Sequence, residues 1–142
     1  MKRGIVIGAT AGITATAVGV ILVVVLLVPS SGPGYQPTPQ IMSLTVNGGS
    51  WDHIGATLYQ GDSWAVDFTC QNNVKAYLMT WDQFNYFYNY GSIGGFISYK
   101  QGTSGHFDFT QSSTCSNDAC NTVVVFMATV TTTISITTTE NH

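Results

Sequence analysis

An uncharged apolar segment near the N-terminus, residues 5–28, constrains this chain more than any other feature. It contains no Asp, Glu, Lys, Arg, Asn, Gln, His or Pro, and as an α-helix it would be about 36 Å long. The hydrocarbon core of a bilayer is about 30 Å thick, so such a helix crosses it with some tilt. Lys2 and Arg3 precede the segment, and the next cation is Lys75. Because cations favour the cytoplasmic side, we predict a transmembrane helix over residues 1–28, with a cytoplasmic N-terminus and an extracellular C-terminal part.

A cleaved secretory signal is the alternative interpretation of this segment. The apolar part of such a signal is usually only about 7 to 15 residues long. Residues 28–31, Val-Pro-Ser-Ser, also lack the small-x-small pattern of a cleavage site. We therefore expect an uncleaved anchor in the cell membrane.

Small residues along one side of the predicted helix favour contact with a second helix. They are spaced four, three and four positions apart, which places them on one helix face: Gly8, Gly12, Ala15 and Gly19. In lipid, close packing across such a face drives helix association. The expected partners are membrane lipid and another transmembrane helix, from the same or a different protein. The alternative is that Gly and Ala are simply frequent in spanning helices.

The first residues also carry a family resemblance. Lys2, Arg3 and Gly4 are followed at once by Ile5 and the apolar segment, which resembles the class III signal of archaeal type IV pilins. The resemblance implies cleavage after Gly4, packing of the exposed helix into a filament core and a β-rich head facing solvent. The chain departs from the bacterial pilin pattern because no acidic residue lies near Ile5.

A linker separates the predicted helix from the remainder of the chain. Residues 29–40 contain all four prolines of the protein, which prevents a continuous helix and favours an extended, semi-rigid spacer. The extracellular domain is therefore predicted to comprise residues 41–142.

Alternation of apolar and polar residues predicts β-strands in this domain. Residues 63–70 place Trp64, Val66, Phe68 and Cys70 on one face. Similar runs recur between clusters of Gly, Asn, Asp and Ser, at residues 41–47, 54–59, 74–81, 95–100, 105–111, 122–130 and 134–138. About seven or eight short strands at this spacing predict a mainly β domain, an antiparallel β-sandwich. Residues 81–90 are the exception, where Asp82 is expected to cap one short helix.

The order of the elements in this domain supplies a second resemblance. Residues 59–64, 74–80 and 105–109, followed by the strand pair of residues 122–138, resemble GOLD-type β-sandwiches of secreted prokaryotic proteins. The resemblance implies a binding or adaptor domain without catalytic residues.

The three cysteines suggest one local disulfide. Cys115 and Cys120 bracket a polar loop, and in an oxidising compartment we expect them to pair. Cys70 is then a buried free thiol on a strand face. The alternatives are a bridge from Cys70 to either loop cysteine, because spacing does not fix connectivity, and three reduced cysteines.

Several kinds of chemistry find little support in the sequence. Four Lys and Arg against seven Asp and Glu exclude a basic surface for nucleic acid. The spacing of His and Cys suits neither a copper nor a zinc site, so no metal and no cofactor is expected. The pairs Asp52 with His53 and His106 with Asp108 could each supply a base and a carboxylate. We expect them instead to be solvated positions, with Phe107 pointing inward, and we predict no enzyme.

The densest unusual feature is a run of aromatic residues at positions 81–90. Tyr and Trp are enriched where proteins contact their partners, and the candidate patch comprises Trp81, Phe84, Tyr86, Tyr88 and Tyr90. Two or three of the aromatic residues in this run must face inward in a compact domain. The sequence thus predicts a non-catalytic cell-surface interaction or accessory subunit, with an extracellular protein or glycan as a further partner, or alternatively a pilin-like subunit.

Overall fold

The computed structural model describes residues 5–8, 22–24 and 37–142, with side chains from residue 37 onward except that of Asp118. Within these residues the protein is mainly β, with antiparallel pairing throughout, as the sequence predicts. The elements in chain order are β1 Ile5–Gly8, β2 Leu22–Val24, β3 Gln40–Val46, β4 Ser50–Thr57, β5 Ser63–Thr80, helix α1 Trp81–Tyr90, β6 Ser98–Thr110, the 3-10 helix Asn117–Cys120, β7 Asn121–Ala128 and β8 Thr132–Asn141.

The eight strands form a single curled sheet, and β5 holds its two halves together. The strand order is β1-β4-β7-β5-β8-β3-β2, with β6 also paired to β5. On one edge of β5, its first half pairs with β8 and its second half pairs with β7. On the other edge, β6 pairs with both halves of β5. The two layers expected of a sandwich are therefore two halves of one continuous sheet.

A bulge in β5 marks the change from one half to the other. The register with β6 shifts between Thr69 and Val74. Asn72 lies in the bulge, where its backbone N–H donates to Thr132 Oγ1 at 3.3 Å and its side-chain amide donates to the Thr131 carbonyl at 3.2 Å. These hydrogen bonds satisfy polar groups of Asn72 that the regular strand pairing leaves without a partner at the bulge. The polar stretch that separates two strands in the sequence prediction is thus the bend of one long strand.

The inner faces of the two halves enclose the main hydrophobic core. Fully burying a large aliphatic or aromatic side chain contributes about 1.5 to 3 kcal/mol, so this cluster is the main source of stability. It draws on β3 to β8 and consists of Met42, Leu44, Val46, Ile54, Ala56, Leu58, Trp64, Val66, Phe68, Val74, Ala76, Leu78, Phe107, Val124, Phe126, Ala128, Ile134 and Ile136.

Helix α1 covers part of the outer face of the half formed by β4, β7 and the end of β5. Thr80 is its N-cap: the Gln83 N–H donates to Thr80 Oγ1, and the Thr80 N–H donates to Gln83 Oε1. Gly91 closes the helix in the left-handed conformation, with its N–H donating to the Phe87 carbonyl. Phe84 and Phe87 face inward and build a second hydrophobic cluster with Met79, Val123 and Val125.

The described part of the N-terminal segment differs from the predicted transmembrane helix. Ile5–Gly8 pairs with β4, and Leu22–Val24 pairs with β3. These strands supply hydrogen-bond partners to the outermost strands of the two halves, which would otherwise present open edges. No helix among the described residues is long and apolar enough to cross a membrane. Residues 1–4, 9–21 and 25–28 of the predicted helix, and residues 29–36 of the linker, lie outside the described residues.

Candidate binding surface

The aromatic residues of α1 divide between the core and the surface because of the helical period. Phe84 and Phe87 are three positions apart and both face the sheet. Trp81, one turn earlier, is partly buried against the same cluster. Tyr86, Tyr88 and Tyr90 are exposed by 46%, 50% and 71%. Phe84 therefore belongs to the core, and its assignment to the predicted surface patch is corrected.

The exposed aromatic surface continues from the helix into the following loop and β6. Tyr86 lies against Gly94, where a Cβ would stand only 2.5 Å from the tyrosine ring. Two residues later, Phe96 contacts Tyr77, with ring centroids 5.4 Å apart, and Tyr77 contacts Tyr99 at 4.8 Å. The sequence predicts a strand over residues 95–100 but no aromatic surface at this place. The signal for the extension was the pair Phe96 and Tyr99, which lies within that predicted strand.

Trp51 connects the helix to the exposed remainder of the outer sheet face. Its indole lies 4.9 Å from the Phe87 ring and 6.1 Å from the rings of Phe84 and Tyr88, with near-perpendicular planes. Edge-to-face contacts of this kind are favourable for aromatic rings. The indole is thus held in a fixed orientation while it stays partly exposed.

Asp52 and His53 are buried, in contrast to the solvated position expected for them. The His53 N–H donates to Asp52 Oδ1 at 2.8 Å, and the centroid of the His53 ring lies 4.6 Å from that of the Phe84 ring, with the planes tilted by 39°. Burial raises the pKa of Asp52 to about 6, and the hydrogen bond from His53 opposes this increase. Burial also lowers the pKa of His53 to about 4. The cause is that β4 is covered on both faces, by the core on one and by α1 on the other.

His106 lies on the surface, as predicted, between two carboxylates. Its Nδ1 is 2.6 Å from Asp67 Oδ1 and its Nε2 is 2.7 Å from Asp108 Oδ2. These hydrogen bonds, first that with Asp108 and then that with Asp67, raise the pKa of His106. Phe107 points inward from the same strand. The three polar side chains form an exposed ion-paired cluster, in which salt bridges are worth little to stability.

The cysteines adopt the arrangement that their spacing favours. Cys115 and Cys120 form a disulfide, and Cys70 is a free, partly buried thiol. The Cys70 thiol donates to the Asn72 carbonyl at 3.1 Å. Burial raises the pKa of this thiol, which lowers the fraction of reactive thiolate.

The remaining candidate residues concern the helix face and metal binding. Gly8 lies in β1, whereas Gly12, Ala15 and Gly19 lie outside the described residues. Within the described ranges, no group of His, Cys, Asp and Glu side chains is arranged to hold a metal ion.

Comparison with known proteins finds no matching protein family, no matching curated protein and no matching solved structure. The geometry of the outer sheet face is therefore the basis for a functional assignment.

Proposed function

We propose that this protein is a single-pass, membrane-anchored and non-catalytic interaction or accessory subunit at the cell surface. The uncharged segment, residues 5–28, is the observation that supports the anchor best. Its helix docks on another membrane protein through Gly8, Gly12, Ala15 and Gly19, and residues 41–142 form the extracellular head.

The anchor requires the N-terminal segment to leave the edges of the sheet. Strands β1 and β2 and a transmembrane helix are alternative arrangements of the same residues. In hydrocarbon, a helix satisfies every backbone N–H and carbonyl within the segment, whereas a lone strand cannot. Burial of so many apolar residues in lipid therefore favours the helix when a bilayer is present. The vacated edges of β3 and β4 then face water, which can hydrogen-bond to them.

The exposed aromatic surface of the head supports a role in binding. Tyr86, Tyr90, Phe96 and Tyr99 are exposed by more than a third, and exposed rings of this kind anchor protein and glycan contacts. Charged residues are few in the head beyond residue 40, which contains two Lys and Arg and seven Asp and Glu among about one hundred residues.

The anchor is tested by alkaline carbonate extraction of membranes that contain the full chain. We expect the wild type to stay in the pellet. The double variant Val18→Asp with Ile21→Asp should appear in the supernatant, because each charge near the helix centre costs about 2.5 to 3.5 kcal/mol. The matched control, Val18→Leu with Ile21→Leu, should stay in the pellet. Release of the wild type by carbonate would contradict the anchor.

Docking through the small-residue face has its own test. Gly12→Leu should weaken cross-linking of the full chain to its membrane partner, since a bulky residue separates the two helices. Val20→Leu leaves the face unchanged and serves as the control. Equal cross-linking of the two variants would remove this face from the proposal.

A pilin-like filament subunit is the second candidate function. The sequence Lys2-Arg3-Gly4-Ile5 supports it by its resemblance to a class III signal. In that case a peptidase cuts after Gly4, and the helices bundle in a fibre. N-terminal sequencing of the native protein separates the two functions, because Met1 supports the accessory subunit and Ile5 supports the pilin.

A further inference from the structure

The outer sheet face that α1 leaves uncovered contains a cleft of about 260 Å³. Its floor is a row of four side chains directly opposite one another on adjacent strands. Trp51 of β4 pairs with Met127 of β7, Met127 with Lys75 of β5, and Lys75 with Gln101 of β6. Because residues that pair across antiparallel strands point to the same side of the sheet, all four side chains project into one surface. At a strand spacing of about 4.8 Å, the row is about 14 Å long.

The row changes in chemistry from one end to the other. Trp51 and Met127 provide an apolar end, and the contacts of Trp51 with α1 hold its indole in place. Gln101 provides the polar end. The Tyr99 hydroxyl donates to Gln101 Oε1 at 2.6 Å, so the amide has its two N–H donors to offer a ligand. Asn73, at the end of the bulge, adds a second amide to the lining.

Lys75 gives the centre of the row a positive charge. It is exposed, and none of the described residues that line the cleft is acidic. A ligand with a negative group at its middle therefore complements the row. Lys75 is the one Lys or Arg among the described residues that line the cleft, so its single positive charge matches a group with one negative charge, such as a carboxylate.

We propose that this row binds an acidic sugar, a uronic acid unit within a polysaccharide. The C–H groups on one face of the sugar ring stack on the electron-rich face of the Trp51 indole. The carboxylate pairs with Lys75, and the hydroxyl groups of the next sugar accept hydrogen bonds from Gln101 and Asn73. This assignment goes beyond the proposed function by giving the head a ligand class, and it does not depend on the membrane anchor.

The test is calorimetric titration of the full chain in non-ionic detergent with oligogalacturonate. We expect saturable binding, and Lys75→Gln should weaken it about tenfold by removing the charge-assisted contact. Lys100→Gln is the matched control, because it makes the same change of charge at a residue outside the cleft. Gln101→Ala should weaken binding less than Lys75→Gln. Near-UV circular dichroism verifies that each variant is folded.

Three outcomes would overturn the proposal. The first is the absence of saturable binding by the wild type. The second is an equal loss in the Lys75 and Lys100 variants, which indicates general charge attraction rather than this row. The third is equally tight binding of a neutral galactose oligosaccharide. The carbonate extraction described above reports separately on the anchor, so failure of the ligand and failure of the proposed function are distinguishable.

Discussion

Asp52 and His53 should give the stability of the head two opposing pH dependences. Burial raises the pKa of Asp52 from 3.8 to about 6, so its stabilising contribution is present below pH 3.8 and is lost as the pH rises to 6. Burial lowers the pKa of His53 from 6.5 to about 4, so its contribution is present above pH 6.5 and is lost as the pH falls to 4. In the wild type the two effects largely cancel between pH 4 and pH 6.

The size of each effect follows from the pKa changes. Both side chains are nearly inaccessible, exposed by 8% for Asp52 and 11% for His53, so screening by solvent is small. At 1.36 kcal/mol per pKa unit, each group contributes about 3 kcal/mol to the pH dependence of unfolding. This is a large share of the total stability of a small domain.

Replacing either Asp52 or His53 should reveal the pH dependence of stability that the other residue causes. In Asp52→Asn, the amide oxygen still accepts the hydrogen bond from His53, and no buried carboxylate has to ionise. We expect the free energy of unfolding to rise by up to about 3 kcal/mol above pH 7, and then to fall by about 3 kcal/mol between pH 6.5 and pH 4. In His53→Gln we expect the opposite slope, with stability decreasing as the pH rises from 4 to 6.

Urea unfolding of the full chain in non-ionic detergent, followed by near-UV circular dichroism from pH 4 to pH 8, measures these profiles. Asp82→Asn is a control, because Asp82 is an exposed carboxyl in the first turn of α1. Its loss should cost only about 0.3 to 1 kcal/mol through the helix dipole. A profile for Asp52→Asn that runs parallel to the wild type from pH 4 to pH 7 would refute the assigned pKa of the buried pair.

Three further predictions concern the stability of single elements, each measured as the free energy of unfolding. Thr80→Ala removes the N-cap and should cost about 1 kcal/mol, whereas Thr80→Ser should cost little; equal losses would argue against capping. Gly94→Ala places a methyl group against the Tyr86 ring and should cost about 1 kcal/mol of stability. If the ring causes this loss, the same substitution should cost nothing in a protein that also carries Tyr86→Ala. Replacing Cys115 and Cys120 by Ser should cost about 2 kcal/mol, and an unchanged stability would show that the loop needs no cross-link.

Local patterns in the sequence were sufficient to predict most strands and the helix of the head, and the direction in which many side chains point. The alternation of Trp64, Val66 and Phe68 predicted their inward orientation, and all three are buried. The helix extends over Trp81–Tyr90, where the strand pattern fails. Its cap is Thr80 rather than Asp82, and the signal, a Thr three residues ahead of a Gln, was present in the sequence.

Features that depend on distant partners could not be predicted in the same way. The polar bulge in β5 looks like a turn because nothing local reveals that β6 runs beside both halves of the strand. His53 is buried because α1 covers the outer face of β4, and Asp52 is buried because it shares the inner face with Phe126 of the main core. No pattern within β4 indicates either cover. The row of Trp51, Met127, Lys75 and Gln101 depends on the register of four strands from separate parts of the chain. Register is a property of the assembled sheet, and a slip of one residue would reverse every side chain.

The length of α1 explains why a cleft exists on this face. The helix has ten residues and is therefore about 15 Å long, whereas the eight residues of β7 extend over about 27 Å. Gly91 ends the helix after it has covered Val123 and Val125. Met127, the next residue of β7 on this face, packs only partly against the same cluster and also lines the cleft. The left-handed conformation of Gly91 thus determines where the covered face ends.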